Sequence, residues 1–185
     1  MDKQKVLIVL DNNYLNERSE DDFRMLEKTI QDTMTGNGFD VKIEEFDVDF
    51  DYEIAPEDLM KKIDEYSKDT CEDDYDCIVA EGLSAWFWLQ ARYEMPVVCI
   101  NPALYPDEVY ADHISNEVRK SFWYVQDSRN QRTTYVACVT NDDELDDPSD
   151  DFGAERVFQT DVSIGNEEFW NDESELMKAI QLVLE

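Results

Sequence analysis

Asp76-Cys77-Ile78-Val79-Ala80-Glu81-Gly82-Leu83-Ser84-Ala85-Trp86 decides the fold class. Its first half is an apolar run of strand length, the pattern of a parallel strand buried on both faces. The residues from Ser84 to Glu94 read as a helix. A buried strand that passes within a few residues into a helix is one unit of an alternating α/β chain. Ser84 stands where that unit turns.

The same alternation extends in both directions. Upstream, Lys5–Leu10 reads as a strand and Ser19–Thr35 as a helix, with Phe23, Leu26, Ile30 and Met34 on one face and Gly36-Asn37-Gly38 as its stop. Val41–Val48 reads as a second strand, and Pro56 opens a helix through Leu59, Ile63 and Tyr66. Downstream, Pro96–Ile100 is uniformly apolar, as a central strand should be. Asp107–Tyr124 reads as mostly helical, Thr134–Thr140 and Arg156–Ile164 as the fifth and sixth strands, and Asp172–Leu184 as a last helix. The pattern predicts one domain over 1–185: a doubly wound, mainly parallel sheet of about six strands. Ile78, Val79, Val98, Cys99, Ile100, Val136 and Val139 form its expected core.

Composition narrows the function classes. With 16 basic and 46 acidic residues the formal net charge is −30. Nucleic acid and anionic membranes are repelled by such a chain. A protein partner with a basic face is not. The hydrophobic share of 42% argues against disorder. No stretch of 18 apolar residues is present, so no transmembrane helix is expected. The opening apolar run is short for a signal peptide, which points to the cytoplasm. Four cysteines show no CxxC pair, and Cys77, Cys99 and Cys138 fall inside expected strands as core thiols. Asn141–Asp151, with seven acidic residues in eleven, is an expected solvated loop.

In an open parallel sheet the ligand crevice lies beyond the carboxyl ends of the strands. The loops there are Asp11-Asn12-Asn13, Glu81–Ala85, Asn101–Tyr105, Asn141–Glu144 and Gly165–Phe169. In this order, and above all in Ile100-Asn101-Pro102-Ala103-Leu104-Tyr105-Pro106, they resemble the small bacterial α/β-hydrolase-like esterases of the YqiA/YcfP kind. The resemblance spans nearly the whole chain and implies sheet order 2-1-3-4-5-6. It also implies a serine nucleophile at Ser84 on the strand-to-helix turn, a triad aspartate at Asp143, and oxyanion donors at Ala85 and Asn12. Ester-like small molecules are the ligands it suggests.

Three departures weaken the implied chemistry. Glu167 stands at the position of the family histidine. A glutamate of ordinary pKa, about 4.3, is a poor base toward a serine hydroxyl. His113, the sole histidine, is the remaining candidate base. Trp86 replaces the second glycine of the elbow, and Asp11 puts a carboxylate beside the oxyanion loop. Ser84 also has a structural reading, as a helix cap. Asp11, Asp143 and Glu167, flanked by Glu81 and Asp142, offer oxygen ligands for Ca²⁺ or Mg²⁺, although separately solvated acids are the simpler reading and no cofactor is required. The expectation is therefore a hydrolase-like protein without a working triad, acting in binding or regulation. An active esterase using Ser84 and an acidic protein that binds a basic partner are the alternatives.

Overall fold

The computed structural model describes residues 3–11, 18–46, 54–93, 95–103, 116–128, 136–140 and 156–185. Six strands, β1 (Lys5–Asp11), β2 (Asp40–Phe46), β3 (Cys77–Glu81), β4 (Val97–Ile100), β5 (Val136–Thr140) and β6 (Arg156–Gln159), form one sheet in the order β2-β1-β3-β4-β5-β6. Every pairing is parallel. The fold is α/β, with the strand order expected from the sequence.

Among the described residues the helices are α1 (Glu20–Gly36), α2 (Pro56–Cys71), α3 (Gly82–Gln90), α4 (Asn116–Ser128) and α5 (Glu175–Leu184), with a 3₁₀ turn at Glu167–Trp170. Ser19 caps α1 by accepting the Asp22 amide at 3.1 Å, and three acidic residues in the first turn suit the positive end of the helix dipole. Leu26, Ile30 and Met34 recur at a spacing of four and are its buried stripe. The helix stops where Gly38 adopts φ +93°. Ser174 caps α5 in the same way, accepting the Met177 amide.

Side chains alternate between the two faces of each strand, and this sorts the core into two layers. Leu7, Val9, Ile78, Ala80, Val97, Cys99, Val136 and Cys138 face α2, α3 and α4. Val6, Ile8, Leu10, Cys77, Val79, Val98, Ile100, Ala137 and Val139 face α1, α5 and the 3₁₀ turn. All seven expected core residues are buried. Cys77, Cys99 and Cys138 are buried and Cys71 is half-buried. Burial, with the nearby Asp76 adding to it, pushes the Cys77 thiol up to about 12.

Some expected boundaries move. β6 ends at Gln159 rather than Ile164, because the Thr160 hydroxyl accepts the Val162 amide and turns the chain. Val162 and Ile164 then pack on the core from that turn. The expected strand extension to Val48 and the expected helix start at Asp107 lie outside the described residues. α3 begins two residues earlier than the sequence suggests, and this shift bears directly on the site. Among the described residues no helix is long and apolar enough to cross a membrane.

Candidate functional site

The strand order reverses at β1: the chain first steps outward to β2 and then crosses back to β3. The crevice of an open α/β sheet lies at such a reversal. Here the carboxyl ends of β1 and β3 bring two acids together, Asp11 and Glu81, with 0% and 2% exposure. Burying two carboxylates side by side requires compensation. Arg18, placed just before the α1 cap, provides it. Its Nη2 donates to Glu81 Oε1 at 2.6 Å, and its Nη1 donates to Glu81 Oε2 and to the Asp11 carbonyl, both at 2.9 Å. Glu81 Oε2 also accepts the Asp11 amide at 3.0 Å. Burial pushes the Glu81 carboxyl above the usual carboxylate range; Arg18 opposes this, and the charge of Asp11 adds to the rise.

The sharp strand-to-helix bend falls on Gly82, with φ +58°, a conformation that glycine adopts without steric cost. The first amide beyond the bend, that of Leu83, points at Asp11 and donates to Oδ2 at 2.8 Å. The loop after β4 closes over the same bend, the Ala103 amide donating to the Gly82 carbonyl at 3.0 Å. The turn is thus held from β1, from the approach to α1 and from the β4 edge.

Ser84, expected on the turn, lies beyond it as the third residue of α3, fully buried. Its hydroxyl donates to the Glu81 carbonyl at 2.8 Å, and the Val9 carbonyl lies at 3.3 Å. A hydroxyl has one proton to give, and here backbone carbonyls take it. The role resembles the expected cap, except that the serine serves a carbonyl behind it rather than amides ahead. Ala85, expected as an oxyanion donor, sits deeper in α3 and is buried; the amide presented at the bend is that of Leu83. Trp86, expected to crowd the elbow, instead fills the core against the Phe122 ring, centroids 5.0 Å apart.

Glu167, at the expected histidine position, begins the 3₁₀ turn and is exposed. It lines a shallow groove with Met25, Lys28 and Asp32 of α1, on the sheet face opposite α3. The structure brings Asp11 to Glu81 and to the Leu83 amide, and it places Glu167 elsewhere. Asn12, His113, Asp142 and Asp143 lie outside the described residues. Among the described residues no three histidine, cysteine or acidic side chains are grouped to hold a metal ion.

Arg18 escaped the sequence reading. A signal was present: Glu81 is a lone charge at the end of an apolar run, and such a charge needs a cation when buried. Nothing in the spacing singles out Arg18 as that cation.

No protein-family model matches the sequence, and no curated protein does. Among solved structures, phospholipase PlaB from Legionella pneumophila, in complex with thio-NAD, is similar at 12% identity and a TM-score of 0.42. The match covers 74% of this chain and 38% of the phospholipase chain, so this chain spans well under half the length of that protein.

Proposed function

We propose that this chain is an α/β-hydrolase-like protein without a working serine–histidine–acid triad, acting by binding or regulation rather than by ester hydrolysis. The strand order supports the hydrolase-like part of the reading. One observation carries the rest: the bend where a nucleophile would stand is Gly82, and the amide beyond it is filled by the carboxylate of Asp11. An acyl-transfer site needs an exposed nucleophile and amides free to meet developing negative charge. Gly82 has no side chain to supply the first, and Asp11 occupies the second. Ser84 has its hydroxyl turned into the backbone.

Arg18 already pairs with the Glu81 carboxylate and donates to the Asp11 carbonyl, which favours an internal ion cluster over a bound divalent cation. A fluorophosphonate probe tests the reading. The expected result is no labelling and no steady turnover of short p-nitrophenyl esters. Stoichiometric labelling that disappears in Ser84→Ala would establish an active esterase, with His113 as the base to examine next.

The charge of −30 favours a second reading, in which the protein binds a basic partner in the cytoplasm. Binding of that kind weakens with salt and should collapse by about 0.5 M.

A further inference from the structure

We propose that Asn37-Gly38 is a self-modifying site. The Asn37 amide converts to a carboxylate without an enzyme, the fold restrains the conversion, and the product unties α1 from the 3₁₀ turn. The inference stands whatever the Gly82 turn binds. Of all the asparagines in the chain, Asn37 alone is followed by glycine. A backbone nitrogen can attack the side-chain amide carbon of the residue before it, and a β-carbon on the attacking residue hinders the approach. Glycine has none. Gly38 is exposed, and apart from its chain neighbours no described atom lies within 4 Å of where a β-carbon on it would stand. There is room for a ring.

The chemistry needs only water. The Gly38 nitrogen attacks Asn37 Cγ, the N–Cγ bond forms and the Cγ–Nδ2 bond breaks. The side-chain nitrogen leaves as ammonia and carries away the hydrogen of the Gly38 amide. Water then opens the cyclic imide at either carbonyl, leaving aspartate or isoaspartate at position 37.

The native backbone holds the reacting atoms apart. Asn37 is the residue that ends α1, with φ −81° and ψ 2°. Closing the ring from that ψ takes roughly a third of a turn about the Cα–C bond. Three hydrogen bonds oppose the rotation. The Gly38 amide donates to the Thr35 carbonyl and the Phe39 amide to the Met34 carbonyl, both at 3.1 Å, and Asn37 Nδ2 donates to the Trp170 carbonyl at 3.2 Å. The first engages the attacking nitrogen and the last the leaving one. Local opening is enough to break them. β2 follows at once and is an edge strand, paired among the described residues only with β1, and such elements open at lower cost than a sheet interior.

The product cannot remake the tie. Asn37 reaches Trp170 across 133 residues of sequence by donating a hydrogen, and a carboxylate has none to donate. The new charge also falls at the negative end of the α1 dipole, where the last turn holds no basic residue. Isoaspartate adds one carbon to the main chain between α1 and β2.

The experiment ages the full chain at neutral pH for several weeks, native and in urea. The tryptic peptide Thr29–Lys42, which contains no other asparagine, is followed by mass spectrometry, and isoaspartate is counted by enzymatic methylation. In urea Asn37 should convert ahead of every other asparagine. In the native chain it should convert roughly tenfold or more slowly than in urea, giving isoaspartate as well as aspartate. No conversion of Asn37 in the native chain, equal rates in the two states, or aspartate alone overturns the proposal. Asn37→Asp carries the acid from the start, and hydrogen exchange of the 3₁₀-turn amides should be severalfold faster in it than in wild type. Unchanged exchange overturns the untying. If that variant does not fold, aged wild-type protein, which acquired the acid after folding, gives the same readout.

Discussion

Replacing Asp11 by alanine sets two effects of comparable size against each other. The carboxylate accepts the Leu83 amide at 2.8 Å in a fully buried position. Removing it strands that donor, which costs about 1–3 kcal/mol. It also takes away a negative charge that crowds Glu81, and the relief of a like charge is worth about 1 kcal/mol or less when Arg18 already pairs with Glu81. The amide should win. Asp11→Ala is therefore expected to destabilise by about 1–2 kcal/mol, which in a chain of this size lowers Tm by roughly 2–8 °C. Asp11→Asn separates the terms: it keeps an oxygen for Leu83 and drops the charge, so it should lie within about 1 kcal/mol of wild type. Urea unfolding of the three proteins at neutral pH makes the comparison. Equal losses in both variants would show that the charge of Asp11, and not its hydrogen bond, secures the turn. A gain in both would show that repulsion from Glu81 dominates, and the account of the turn given above would fail.

Other outcomes are equally open to measurement. Ser84→Ala should cost about 1 kcal/mol, since one hydroxyl bond to the Glu81 carbonyl is lost without a change in packing, whereas Ser84→Val must fit extra methyl volume into a fully buried position and should cost about 2–4 kcal/mol; thermal melts compare the two, and equal melting temperatures would contradict the burial of Ser84. Val98→Asp should abolish soluble expression, because it puts an unpaired charge into a strand with neighbours on both sides; a normal yield with an unchanged Tm would contradict the placement of β4. Glu81 holds its proton more tightly in the folded than in the unfolded chain, so its contribution to stability is fully present below the ordinary carboxylate value and is lost as the pH rises through the raised folded value. Wild type should accordingly lose stability relative to Glu81→Gln as the pH rises above the ordinary carboxylate value of about 4.3, and a gain over the same range would reverse the assigned direction. In native protein Cys71 should react with a thiol reagent well before the other three cysteines, which should wait for denaturant.

The layers were legible because long apolar runs leave little choice. Cys77–Ala80 and Val97–Ile100 carry no polar residue, and only a strand covered on both faces suits such runs. The register of the turn was harder to read. A serine two residues past a glycine attracts a nucleophile reading, yet the residue that must bend is the one that tolerates positive φ, and that is Gly82. The buried ion cluster was half visible. Glu81 and Asp11 could be placed at neighbouring loops from the strand order, whereas Arg18 depends on a side chain reaching across 63 residues of sequence, which no local pattern encodes. The short 3₁₀ turn at Glu167–Trp170 depends on the Asn166 side chain accepting the Glu168 amide, a local signal that is weak beside the apolar pattern which made β6 look longer.

The interior position of β1 has a consequence for how the chain is made. β1 is flanked by β2 and by β3, and the Lys5 amide meets the Asp76 carboxylate 71 residues further on. During synthesis, at roughly 5–20 residues per second, the first strand emerges long before the partner that covers its second edge. For those seconds an apolar ribbon, Val6 to Leu10, has at most one neighbour. Parallel pairing also requires each crossover to close first, which makes this sheet slow to form. The interval in which β1 waits for β3 is when a nascent chain of this design is most exposed to mispairing, and when a ribosome-associated chaperone would have most to hold.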